Sequence, residues 1–238
     1  MSQRTQQKTP LYGRLLVRLA KPFPNFDFYF IKPIRRRAIE SMLLTIGCKV
    51  LDVGCGPGGS FPFLVDAVGP AGKVVGIEIS PLHAEMANDR IRANDWTNVE
   101  VVNESAKDAE LNDRFDGLLM FAAPDVYGSP AELANLIPHL TDDARFAAFG
   151  AKLASVGFGR MLNPIIKTLY KLSFDTTPAP SIEPWQPLTA DFEILEIHEY
   201  FFGLMFLVTG KRSIWPTPVP SHDAATSGTS MSRSIRSD

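Results

Sequence analysis

Lys49-Val-Leu-Asp-Val-Gly-Cys-Gly-Pro-Gly-Gly-Ser60 is the stretch on which the reading of this chain turns. Val50, Leu51 and Val53 are apolar β-formers, so Lys49 to Val53 reads as a buried strand. Gly54, Gly56, Gly58 and Gly59 follow, a run that allows bends which side chains obstruct and lets a ligand lie on bare backbone. A helix then opens near Ser60, with its free N–H groups aimed back at the turn, an arrangement that favours an anionic group there. Strand, glycine turn and helix in this order describe a nucleotide site.

Outward from that stretch, strands and helices alternate. Phe61 to Val68 reads as a first crossover helix, stopped by Gly69-Pro70. Lys73 to Ile79 is a second strand with Glu78 at its end, and Pro81 to Asn94 a second helix. Val99 to Val102 is a third strand. Phe115 to Phe121 is a fourth, apolar in the manner of a central parallel strand. Ser129 to Leu140 is a helix capped by Ser129 with Glu132 in the capping-box position, and Arg145 to Phe149 a fifth strand. Phe192 to Tyr200 and Gly203 to Gly210 close the fold, joined too tightly for a crossover helix and therefore antiparallel to each other. The expected class is α/β: a doubly wound, Rossmann-like, mostly parallel seven-stranded sheet with an antiparallel last strand, N-terminal helices and a helical insertion before strand 6.

The domain expectation is an N-terminal helical arm or lid over residues 1–45, a catalytic domain over 46–214 with the insertion at 151–188, and a disordered tail at 215–238. In the arm, a helical pattern starts at Leu11, an aromatic run spans Phe23 to Phe30, and a second helix, Pro33 to Leu44, carries a triple-arginine corner that reads as exposed. Residues 1–45 hold nine Lys/Arg against two Asp/Glu, while the whole 238-residue chain has a net charge of -2. A basic arm on an acidic body points to an anionic surface for the arm, and the total argues against nucleic acid as a partner. The two cysteines, Cys48 and Cys55, flank one extended segment and are not expected to pair. That absence of disulfides, with no long apolar run and no signal-like start, gives a cytoplasmic expectation.

The spacing Gly54, Gly56, Gly59 also satisfies the dinucleotide fingerprint, which alone is a weak signal. Asp52 pulls away from it. A fixed negative charge two residues before the first glycine is a poor neighbour for pyrophosphate and a good one for an ammonium or sulfonium. With Val74-Val-Gly-Ile-Glu-Ile-Ser-Pro81 following, the chain resembles the class I S-adenosylmethionine-dependent methyltransferase family over roughly residues 33–210. The resemblance implies S-adenosyl-L-methionine as donor. Its site would be formed by Asp52, Gly54, Cys55, Gly56, Gly58, Glu78, Ile79, Ser105, Ala106 and Phe121, with Glu78 on the ribose hydroxyls and Ile79 on the adenine. One position departs from the family pattern. Ser105, in Glu104-Ser105-Ala106, stands where an aspartate commonly meets the adenine amine; Glu104 and Asp108 are the alternatives.

The acceptor is less legible. Asp125 and Tyr127, after the fourth strand, are the candidates for contact with it; a loop acid and a packed tyrosine are the plain readings of the same residues. His83, His139 and His198 read as lone histidines without a chemical role. No Cys/His cluster has metal-ligand spacing, so no metal is expected. Arg35-Arg-Arg-Ala-Ile-Glu40, with Ser60-Phe-Pro-Phe63, is similar to bacterial phospholipid N-methyltransferases and quinone-methylating relatives. That similarity implies a small or lipid-like hydrophobic acceptor and peripheral contact with the inner membrane through residues 11–37. The alternatives are an NAD(P)-dependent oxidoreductase on a Rossmann sheet and a non-catalytic cosubstrate-binding protein.

Overall fold

The computed structural model describes residues 31–173 and 181–213, with the backbone alone for 169–173. The expected helix from Leu11, the aromatic run Phe23–Phe30 and the tail at 215–238 lie outside the described residues. The described chain begins with helix α1 (Ile31–Ser41) and continues with β1 (Lys49–Val53), α2 (Phe61–Val68), β2 (Lys73–Ile77), α3 (Pro81–Ala93), β3 (Val99–Val102) and β4 (Phe115–Phe121). It goes on through α4 (Pro124–Tyr127), α5 (Pro130–Leu136), β5 (Leu140–Ala151), α6 (Gly157–Ser173), β6 (Phe192–Tyr200) and β7 (Met205–Arg212). The seven strands form one sheet in the order β3-β2-β1-β4-β5-β7-β6. Neighbours from β3 to β5 are parallel, and β7 runs antiparallel to both β5 and β6.

Helices cover both faces, so the central strands are apolar on both sides. Leu51, Val53, Val75, Ile77, Leu118 and Met120 enter one core with Val126, Tyr127, Leu133 and Leu136 of α4 and α5. Val50, Val74, Leu119 and Phe121 enter the other with Ile34, Ala38 and Ile39 of α1, Phe61 and Leu64 of α2, and Ala87 of α3. Each side chain fully buried this way contributes about 1.5–3 kcal/mol. The period-two alternation of β1 turns Asp52 toward the face that α1 and α2 cover. Helix α1 is thus a working part of the second core, through residues spaced three and four apart.

Several boundaries differ from expectation, each for a local reason. The helix expected to run to Leu140 stops at Leu136, and a 3-10 turn spans Ile137–His139, because Pro138 has no N–H and disfavours the α conformation before it. β5 starts at Leu140 rather than Arg145, since Leu140 already pairs with Phe115; the register then shifts before Arg145 meets Gly117. β7 starts at Met205 because Phe201, Phe202 and Gly203, all at positive φ, form the turn from β6. The loop expected at Ala122–Gly128 contains the short helix α4.

The antiparallel pair has a bulge. Ile194 faces Gly210 while Glu196 faces Thr209, leaving Leu195 unpaired in the register. Gly210 makes this possible: a Cβ there would stand 2.3 Å from the Glu193 carbonyl oxygen and 2.5 Å from Phe146 Cε1. Gly210→Ala is therefore expected to cost about 1–3 kcal/mol and to lower the thermal midpoint by several degrees. An unchanged midpoint in calorimetry would show that the bulge yields freely.

Candidate functional site

The glycine turn leaves β1 at the sheet edge where the parallel strands end. Gly54 and Cys55 both donate their N–H groups to the Ile77 carbonyl, at 2.8 and 3.1 Å, which staples the turn to the end of β2. Gly54 lies at φ 70°. A Cβ on it would stand 2.7 Å from the Ala123 Cβ, so the turn packs directly against the exit of β4. Gly56, at φ 55°, differs: a Cβ there would meet nothing within 4 Å. Beside Gly56 the turn faces open space.

Glu78 sits one residue past β2 and is 8% exposed. Its Oε2 accepts the Gly56 N–H at 2.9 Å and its Oε1 accepts the Ser80 N–H at 2.7 Å. The carboxylate therefore ties the glycine turn to the N-terminus of α3, and each oxygen keeps acceptor capacity for one further donor. These bonds draw the residue out of the expected strand, which ends at Ile77. Burial raises the Glu78 pKa, opposed by the Ser80 bond, by His83 and by the Gly56 bond; Asp125 adds a raising charge.

Asp52 is 1% exposed, and neither of its carboxylate oxygens has a hydrogen-bond partner. Burial pushes its pKa up to about 7, against the opposing pulls of the Arg35 guanidinium and of the Ser60 hydroxyl, which lies close by without closing a hydrogen bond of normal geometry. Arg35 comes from α1. It is half-buried, while its neighbours Arg36 and Arg37 are exposed. The triple-arginine corner is therefore not uniformly exposed, as the sequence reading had it: Arg35 lies on the apolar face of the helix, at helical spacing from Ile31, Ala38 and Ile39. That spacing was the available signal, and two solvated neighbours obscured it.

The remaining candidates divide by position. Phe121 ends β4 at the same level and stacks on Phe149, with centroids 4.4 Å apart. Cys55 is buried, and burial raises its thiol pKa well above the usual range. Gly58 packs on the Phe61 ring, Ala106 is buried, and Ile79 is exposed at the edge. Ser105 donates to Glu132 Oε1 at 3.3 Å, so its hydroxyl proton is committed to that carboxylate. Of the acceptor candidates, Asp125 is exposed. Tyr127 is not at the surface: it is 1% exposed, packs edge-to-face on Phe206 and fills the space beside Gly150. It is a core residue. His198 Nε2 lies 2.9 Å from Arg37 Nη2 and 2.8 Å from Glu196 Oε2, in a surface network.

These residues fit the amino-acid and ribose ends of S-adenosylmethionine. An unpartnered buried carboxylate, open space beside a bare glycine and a carboxylate with spare acceptor capacity are the donor set for an ammonium and two hydroxyls.

Residues 50–142 match the family described as methyltransferase domain. A ribosomal RNA large subunit methyltransferase E of Anaeromyxobacter dehalogenans is 34% identical over 103 residues, covering 38% of this chain and 36% of that protein. A demethylmenaquinone methyltransferase of Staphylococcus saprophyticus is 26% identical, covering 60% of this chain and 58% of that one. The chain spans about a third to a half of the length of the first curated relatives it matches. Among solved structures, a SAM-dependent methyltransferase from Aquifex aeolicus superposes with a TM-score of 0.55 at 19% identity, over 84% of this chain and 98% of that one. A geranyl diphosphate C-methyltransferase of Streptomyces coelicolor, in complex with Mg2+, geranyl diphosphate and S-adenosyl-L-homocysteine, has a TM-score of 0.63 at 11% identity, over 76% and 79%.

Asp52 yields a stability test. In the folded chain it keeps its proton to about pH 7, and in the unfolded chain only to about pH 4. The folded state binds the extra proton between those values, so stability falls as pH rises across that window and is level above it. Asp52→Asn removes the fall. The variant is expected to melt well above the parent at pH 8 and to approach it near pH 4. Equal midpoints at pH 8 in scanning calorimetry would mean that the carboxylate is solvated or paired.

Proposed function

We propose that this chain, which carries a class I S-adenosylmethionine-dependent methyltransferase domain, transfers a methyl group to a small or lipid-like hydrophobic acceptor. The carrying observation is the pair of carboxylates around one glycine turn: Asp52 buried without a partner, Glu78 bonded to the turn itself. Asp52 would take the donor's α-ammonium, Glu78 the ribose hydroxyls, Gly54 to Gly58 the close backbone approach, and Ile79, Ser105 and Ala106 the adenine side. A dinucleotide would bring pyrophosphate beside Asp52, which disfavours the oxidoreductase reading.

When bound, the donor supplies an electrophilic methyl group on a sulfonium, whose leaving electron pair stays on sulfur. The chain's part is positioning and exclusion of water. Phe121 and Phe149 form an apolar wall at the strand ends. A general base is needed only where the acceptor must lose a proton early, and Asp125 is the exposed carboxylate at this edge.

The rim supports the acceptor class. Helix α6 rises from the end of β5, and the β6–β7 turn comes up at the same edge. Phe158, Met161 and Ile165, three and seven positions apart on α6, are exposed, as are Val156 and Phe202. Phe158 and Phe202 meet edge-to-face at 5.7 Å. Arg160 and Lys167 are exposed on the same helix, whose 17 residues contain no Asp or Glu. An apolar stripe flanked only by cations suits an anionic lipid surface. Peripheral contact with the inner membrane through residues 11–37 belongs to the same proposal. Among the described residues, no helix is long and apolar enough to cross a membrane. Ribosomal RNA, named for other relatives, fits less well with a net charge of -2.

S-adenosylhomocysteine at a hundred times its dissociation constant is expected to stabilise the protein by about 2.7 kcal/mol, with NAD inert; the reverse would replace this reading with the oxidoreductase. Incubation with methyl-labelled donor and a lipid extract is expected to label lipid, and a protein that binds donor but labels no extract would be non-catalytic. Phe158→Ser/Met161→Ser/Ile165→Ser is expected to reduce binding to phosphatidylglycerol vesicles several-fold without changing S-adenosylhomocysteine affinity. Equal vesicle binding by parent and variant would remove α6 from the membrane proposal.

A further inference from the structure

Helix α1 and the edge strand β6 meet through three polar side chains. On α1, Arg36 and Arg37 are both exposed but held differently. Arg36 lies over the Phe63 ring, 5.8 Å from its centroid, beside Lys32 at 5.9 Å. Arg37 turns to β6 instead, where its Nη2 lies 2.9 Å from His198 Nε2. The same ring nitrogen lies 2.8 Å from Oε2 of Glu196, two residues earlier on the strand. One nitrogen cannot serve both neighbours at once. A guanidinium only donates and a carboxylate only accepts, so the bond to Arg37 needs a lone pair on Nε2 and the bond to Glu196 needs a proton there.

The two bonds therefore exclude each other. With its proton on Nδ1 alone, a neutral His198 holds Arg37 and turns a lone pair toward Glu196. With both nitrogens protonated, the imidazolium holds Glu196 and repels Arg37. A histidine makes this change between about pH 5 and 8. Among the described residues, α1 brings Arg37 to the ring. β7 brings Leu207 opposite it, with Met205 and Thr209 on the same face, and β6 itself brings Glu196 and Tyr200. The His198 bond, and then the charges of His198 and Arg37, hold Glu196 below the usual carboxylate range. Glu196 thus stays ionised throughout the histidine range and is ready to take the proton-bearing ring.

We propose that His198 is a proton-operated catch on Arg37. Neutral, it ties the arginine to β6; protonated, it passes to Glu196 and releases the arginine to an anionic membrane surface. The proposal rests on the membrane reading above, in which Arg37 closes the segment 11–37, and names what regulates that contact. Protonation takes the trio of Arg37, His198 and Glu196 from no net charge to one positive charge, and it frees a guanidinium besides. The membrane itself favours the change, because an anionic surface concentrates protons about threefold. Release strengthens docking, and docking by linkage strengthens protonation.

Two measurements on the full chain test this. Nitrogen-15 spectra of the histidine rings are expected to show the neutral form of His198 with its proton on Nδ1, and Nε2 gaining a proton only as the ring becomes charged. A neutral form protonated on Nε2 would leave Arg37 without its acceptor and overturn the proposal. Binding to phosphatidylglycerol vesicles at low salt is expected to tighten about five- to thirtyfold from pH 8 to pH 6, the effect of one to two cations at the surface. His198→Gln, whose amide oxygen keeps Arg37 at every pH, is expected to change by less than about twofold over that range although the other histidines still titrate. His198→Ala, which frees Arg37 without a proton, is expected to bind at pH 8 about fivefold more tightly than the parent. Melting midpoints at both pH values check that each variant is folded. Equal binding by the parent at both pH values would overturn the proposal and leave the membrane reading standing. So would the parent's pH dependence in His198→Gln, or binding by His198→Ala at pH 8 no tighter than the parent's. A parent that ignores these vesicles at both pH values would overturn the membrane reading, and this proposal with it.

Discussion

A carboxylate buried without a hydrogen bond is the constraint around which this molecule is arranged. Asp52 lies on β1, an interior strand of the sheet, and taking an ionised carboxylate out of water costs several kcal/mol unless something compensates. The fold compensates only in part, with the charge of Arg35 and the nearby hydroxyl of Ser60, and the residue answers by holding its proton up to about pH 7. A position that costs stability in the free protein and gains a partner when ligand arrives is the signature of a binding site. The parallel register explains why it sits where it does. Asp52 is level with Gly76 on one side and Leu119 on the other, so the residues just beyond it are Glu78, the glycine turn and Phe121, all at one edge.

The two acidic residues at this edge have opposite roles in the free fold. Glu78 accepts two backbone N–H groups and helps to shape the turn. Asp52 accepts none. Glu78 is therefore part of the architecture before any ligand binds, and its spare lone pairs are presented in fixed directions. The turn, the Glu78 carboxylate and the start of α3 form one hydrogen-bonded unit. A change at Glu78 disturbs the turn, whereas a change at Asp52 relieves the fold.

What was legible in the sequence follows from how local each signal is. The turn from Lys49 to Ser60 is written in consecutive residues, so its conformation, the strand before it and the helix after it were all readable. The seven-stranded sheet was readable because apolar strands and amphipathic helices alternate with short connections. Arg35 was misread because its meaning is three-dimensional: it belongs to the apolar stripe of α1, but its two neighbours point to solvent and make the triplet look uniform. Tyr127 was ambiguous for the same reason. Its burial depends on Gly150, more than twenty residues away, leaving room for its ring. Ser105 reads from the sequence as a substitute adenine contact, and the partner of its hydroxyl proton, Glu132 on α5, is a distant residue that no local pattern could supply. The start of β5 was hidden because Thr141, Asp142 and Asp143 interrupt the apolar pattern at a register shift.

The donor and acceptor halves of the site rest on different physics. The donor half is built from the ends of β1, β2 and β4, where backbone hydrogen bonds and parallel register place each group to within a residue. The acceptor half proposed above would be built from α6 and the β6–β7 turn, which are held by a few contacts. Asn163 clasps Ala154 with both amide groups, its Oδ1 accepting at 2.9 Å and its Nδ2 donating at 3.0 Å. Gly159 packs so closely on the turn that a Cβ would stand 2.0 Å from the Phe202 carbonyl oxygen. Those contacts lie on the inner side of α6 and leave Phe158, Met161 and Ile165 to face outward. Side chains on that outer face can change without disturbing the sheet, the glycine turn or Asp52. The relatives are named for quinone, ribosomal RNA and protein isoaspartate methyl transfer, and this division of the fold accounts for how one donor site serves such different acceptors. In this chain the outward face is apolar with cations beside it, and that face is the ground on which a lipid-like acceptor is proposed.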